Sequence, residues 1–122
     1  MNINDTNIVL DELAGYSKNG GYKPLQDRLM KKVESAKSVE RIDYLRKDSE
    51  IGVSSLNGLI KNMRLVQSGT PSRYLNDKSV ELIKKDIAMG NTPEEVEKYI
   101  NWIKTVYRPA MTEKRKQLVA EG

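Results

Sequence analysis

Residues 79–108 read SVELIKKDIAMGNTPEEVEKYINWIKTVYR, two amphipathic stretches joined by Gly-Asn-Thr-Pro, and the joint decides the fold. Gly90 suits the left-handed position that closes a helix, because without a Cβ it reaches positive φ cheaply. Thr92, Pro93 and Glu95 fit a capping box: the hydroxyl accepts from first-turn amides, proline forfeits no needed donor, and the glutamate reaches back to the cap amide. The spacing therefore predicts an αα-hairpin over about 78–108. Its first arm carries Val80, Ile83 and Ile87 on one side and Leu82 and Met89 on the other. Its second arm carries Val96, Tyr99, Ile100, Trp102, Ile103, Val106 and Tyr107 over an arc of about 160°, wider than one neighbour needs. Two apolar faces imply two neighbours, so the pair is expected at the centre of a bundle or at a subunit interface.

Upstream, the apolar phase stays helical. Val9, Leu13 and Tyr16 predict a short first helix with Asp5 or Thr6 as its cap, ended by Asn19, Gly20 and Gly21. That glycine turn lacks the strand before it and the Gly-Lys-Ser/Thr after it that a phosphate-binding loop requires, so it reads as a connector beside Lys23. Pro24 opens the longest predicted helix, about 24–49, with Leu25, Leu29, Val33, Ala36, Val39, Ile42 and Leu45 in phase and a kink or break allowed near Ser38. Gly52 is expected to end it and Ser54 or Ser55 to cap the next, striped by Leu56, Leu59, Ile60, Met63 and Val66 up to Gly69. Residues 67–77 form the main loop. Pro109 is expected to end or kink the last arm of the hairpin, leaving a basic, weakly apolar helical tail.

With no alternating apolar pattern of strand length, the chain is expected to be all-α: one compact domain, 1–122, of five to six helices. Its 122 residues, 38% hydrophobic and 31% charged, suffice for one modest core. No apolar run approaches the roughly 20 residues of a membrane span, and MNINDTN lacks the basic and apolar regions of a secretory signal. The expected compartment is the cytoplasm, and no membrane partner is expected.

The inventory excludes much chemistry. The chain has no histidine and no cysteine, which removes the commonest general base, the commonest metal ligands, both familiar nucleophilic triads and disulfides. Glu94 and Glu95 belong to a helix first turn, where acids oppose the macrodipole. No EF-hand loop or nucleotide fingerprint is present. The expectation is a protein that is not an enzyme, with no catalytic residue, no metal and no cofactor.

Two binding roles remain. Leu82, Met89, Tyr99, Trp102 and Leu65 exceed the apolar residues a modest core needs, and Met, Tyr and Trp favour interface centres. They suggest protein–protein recognition, as an adaptor or inhibitor. The core of the bundle or a homodimer seam would employ the same side chains. Small, cysteine-free, mildly basic helical chains are similar in type to regulatory proteins of phages and mobile elements. The alternative is nucleic acid, DNA or RNA or a ribonucleoprotein, favoured by the formal charge of +4. Its candidate contacts are Arg28, Lys31 and Lys32, then Asn57, Lys61 and Arg64, and the tail trio Lys114, Arg115 and Lys116. Residues 45–64 resemble the turn and second helix of a helix-turn-helix, with Gly52, Val53 and Ser54 in the turn, although Asp48 and Gly58 depart from its pattern.

Overall fold

The computed structural model describes residues 22–69 and 75–121. Among them every regular element is helical, joined by short turns. Helix α1 runs Lys23–Ser35, α2 Val39–Gln67, α3 Asp77–Ala88 and α4 Pro93–Trp102; a π-helical turn, Ile103–Tyr107, then leads without a gap into α5, Arg108–Glu121. Because α4, the π turn and α5 form one rod, the described residues make four helices, fewer than the five to six expected. The predicted first helix, about residues 5–16, and the glycine turn after it lie outside the described residues.

The long helix is displaced along the sequence. The break allowed near Ser38 is real: Ala36 is extended, and Ser38 caps α2 by accepting from the Arg41 amide at 3.1 Å. Gly52, expected to end the helix, sits inside α2, and so do Ser54 and Ser55, expected to cap the next one. A glycine in a helix interior costs only about 1 kcal/mol against alanine. Burying Val53 and Leu56 on the next turn offsets that, each such side chain contributing about 1.5–3 kcal/mol. With no turn at residues 52–54, the helix-turn-helix resemblance of 45–64 falls.

The Gly90 corner forms as read. Gly90 takes φ +97°, and Thr92 accepts from the Glu95 amide at 3.3 Å with Pro93 in the first turn. One detail differs from a capping box. It is the Glu94 carboxylate, held below the usual range by its own backbone N–H and then by the Thr92 hydroxyl, that reaches back. Glu95 pairs instead with Lys98 at 3.2 Å. The two arms do not run back along one another as a hairpin; both rest on α2, the central helix of the molecule.

The rod lies antiparallel to α2. Arg115 meets Asp43 at 3.2 Å, the Arg108 Nε donates to the Ser49 hydroxyl at 3.5 Å, and Arg64 meets Glu97. Between the two, Ile42, Leu45, Leu59 and Met63 of α2 pack with Val96, Ile103, Tyr107 and Met111 of the rod. Helix α1 closes the core against α2 and α5 through Leu25 and Val33. Pro109 neither ends the rod nor leaves it regular. It lacks the N–H for an i−4 bond and its ring crowds the carbonyl one turn back. The ladder slips by one residue just before it, with the Arg108 amide bonding the Ile103 carbonyl. Among the described residues no helix is long and apolar enough to cross a membrane.

Candidate functional site

An open groove of about 710 Å³ lies between the C-terminal half of α2 and the rod. Its α2 wall is Asn57, Ile60, Lys61, Arg64, Leu65 and Ser68, steps of three and four that place them on one face. The opposite wall is Glu97, Ile100, Asn101 and Lys104. Among the described residues Ile60 and Ile100, each 6% exposed, form its floor and Leu65 is half-buried at its side, while the amides and cations flank them. Arg64 and Glu97 join across the groove.

This groove gathers one of the three predicted basic sets, Asn57, Lys61 and Arg64, together with one predicted interface residue, Leu65. The other basic sets lie on other helices. Arg28 and Lys31 are exposed on α1, with Lys32 half-buried; on α5, Arg115 is engaged with Asp43 and Lys116 with Glu113 at 3.5 Å, while Lys114 is half-buried. Of the remaining apolar candidates, Tyr99 is 4% exposed and belongs to the core, Leu82 is half-buried against it, and only Met89, at 55%, is largely exposed. Trp102 is half-buried in an aromatic column. Tyr22 stacks on Tyr99 at 5.1 Å between ring centres, Tyr99 on Trp102 at 6.0 Å, and Trp102 on Tyr107 at 5.8 Å. The surplus of large side chains in the rod is thus consumed internally, each stacked pair contributing about 0.5–1.5 kcal/mol beyond its burial. The π turn separates Trp102 from Tyr107 by five residues and still lets their rings meet.

Sequence reading missed Asn101, Lys104 and Glu97. The polar steps 97, 101, 104 interrupt the wide apolar arc of this arm, and that interruption was the available signal. What lay hidden was the antiparallel pairing that sets it opposite 57, 61 and 64.

A smaller cleft of about 250 Å³ lies where α1 meets α4, lined in part by Tyr22, Gln26, Asn91, Glu95 and Tyr99. Tyr22 is 8% exposed, and its hydroxyl has no hydrogen-bond partner among the described residues. Burial first, then the nearby Asp86 and Glu95 carboxylates, push its phenol well above the ordinary tyrosine value. Tyr107 is raised in the same sense, by burial and then by Asp48, with Arg41 opposing. Both hydroxyls are therefore held neutral. Among the described residues no three Asp or Glu side chains cluster as metal ligands would.

The fold defines an all-α bundle built on one long central helix, with a charged, apolar-floored groove on its flank. Comparison with protein-family models, with curated proteins and with solved structures finds no match for this chain.

Proposed function

We propose that this chain is a non-enzymatic helical binding protein that works by protein–protein recognition, as an adaptor or inhibitor, and that the groove between α2 and the rod is its docking site. The observation that carries the reading is the groove's make-up: the half-buried Leu65 over a floor of the buried Ile60 and Ile100, flanked by Asn57, Lys61, Asn101 and Lys104. Apolar residues with a polar rim are what a helical or extended protein segment needs from a receptor surface. The residues that first suggested protein recognition, Tyr99, Trp102 and Leu82, support it no longer, since they serve the core; Leu65 does.

Asn57, Lys61 and Arg64 on one wall favour a second reading, nucleic acid. Those side chains suit phosphates and base edges. Against it, no aromatic ring for a base to stack on lines the groove among the described residues, and the groove is concave where a duplex would want a projecting helix.

Affinity capture from the native host separates the two. A protein retained after nuclease treatment by the wild type, lost by Leu65→Glu and kept by Lys31→Glu on α1, is the expected result, with both variants checked for unchanged helicity and melting. Release of the bound material by nuclease, or equal retention by Leu65→Glu, would overturn the proposal.

A further inference from the structure

We infer that the segment seated in this groove is acidic, and that Glu97 holds the place of one of its carboxylates until it arrives. The inference rests on the groove being the protein-docking site and adds the chemistry of what docks. Among the described residues four charged side chains line the groove: Lys61, Arg64 and Lys104 against Glu97. Glu97 is taken by Arg64. Lys61 and Lys104 form no ion pair among the described residues, a state they share with lysines such as Lys31, Lys47 and Lys85; what sets them apart is that they stand on facing walls of one groove. Two ammonium groups thus face each other across the floor of Ile60 and Ile100 with no counter-charge paired to them among the described residues.

Dimensions narrow the occupant. From Asn57 to Ser68 the α2 wall spans about 17 Å at 1.5 Å per residue, the length of three helical turns. A partner helix of that length, apolar at i, i+3 or i+4 and i+7 with Asp or Glu on its flanks, would match apolar to apolar and carboxylate to ammonium. Asn57 and Asn101 would add donors for either carboxylates or backbone carbonyls at its ends.

The Arg64–Glu97 pair joins the two walls, and both of its side chains are half or more exposed. Exposed pairs of this kind hold weakly, so an incoming carboxylate can take Arg64 from Glu97 at little cost. Glu97 then acts as a built-in competitor. It keeps Arg64 neutralised when the groove is empty and sets a threshold that a neutral or basic segment gains nothing by crossing.

Three synthetic peptides of about 14 residues test this, all with the same leucine spacing and with Glu, Gln or Lys on the flanks. Each is titrated into the full-length, isotope-labelled chain and followed by amide chemical shifts, beside a short DNA duplex and an RNA single strand. The Glu peptide is expected to move Ile60, Lys61, Leu65, Ile100 and Lys104, and to bind about tenfold more weakly to Lys61→Gln/Lys104→Gln. It is expected to bind about threefold more tightly to Glu97→Gln and to lose affinity as salt rises. Equal or stronger binding of the Gln or Lys peptide at the same amides would sink the acidic partner and leave the groove as a protein site. Unchanged or weaker binding to Glu97→Gln would sink the competitor role. If only the oligonucleotides move these amides, or nothing does, the docking site itself is refuted.

Discussion

At one end of the antiparallel contact between α2 and the rod, Ile42, Leu45, Tyr107 and Met111 fill the space completely, and Asp43–Arg115 and Ser49–Arg108 clasp its edge. At the other end Leu59, Met63 and Val96 still pack beneath, but the flank of the same two helices opens into a groove that Arg64 and Glu97 bridge. The difference follows from side-chain size and polarity. A phenol ring and a methionine plug the closed end, whereas the open end has branched but short isoleucines, with asparagine and lysine on the next positions drawn outward to water. One helix pair therefore does two things: core packing runs along its whole length, and at one end its flank also leaves an accessible surface.

The largest expected effect would break that contrast if it failed. Tyr107→Ala removes a fully buried ring and one face of the aromatic column, and should destabilise the fold by about 3–5 kcal/mol in urea unfolding. A loss near zero would mean that the closed end is not where stability resides. Next comes the corner that feeds the groove's second wall. Gly90→Ala forces a side chain into φ +97°, where no neighbour blocks the Cβ but the backbone itself resists, and should cost about 1–2 kcal/mol.

Tyr22→Phe sharpens the contrast from the far side of the rod. At neutral pH it should change stability by less than about 1 kcal/mol, because it removes a buried hydroxyl without a partner among the described residues. Its signature is alkaline. The folded phenol is pushed up, so its contribution is complete below the unfolded value near about 10 and is lost as pH rises through the folded one. Denaturation curves between about pH 9 and 11 should therefore show the wild type losing more stability than Tyr22→Phe. The smallest effect belongs to the groove: Asn57→Ala with Lys61→Ala should leave stability within about 0.5 kcal/mol, both residues being exposed, while any partner binding falls. A destabilisation of several times that size would make the groove wall structural.

What could be read in advance was what is decided locally. Thr92, Pro93 and Gly90 act within a few residues of one another, so cap and corner were legible. Gly52 was misread because a local penalty of about 1 kcal/mol is outweighed by burial that only the tertiary structure supplies. Lys61 and Arg64 were legible as a helix face, yet nothing near them in sequence indicates that Asn101 and Lys104 stand opposite. Trp102 misled for the mirror-image reason: a ring that looks surplus on one helix finds its neighbours on the same rod, across a slip in the hydrogen-bond ladder that the sequence announces only through Pro109.

That slip has a consequence for how the chain tolerates change. A π-helical turn accommodates a single inserted residue inside an otherwise regular helix while keeping the flanking faces in place. Because Pro109 is the reason for the slip here, excising one amino acid between Ile103 and Tyr107 would return the spiral to ordinary pitch only in a chain that also carries Pro109→Ala. While Pro109 stands, the extra residue is what lets one continuous rod carry Glu97 to one stretch of the central helix and Arg115 to another.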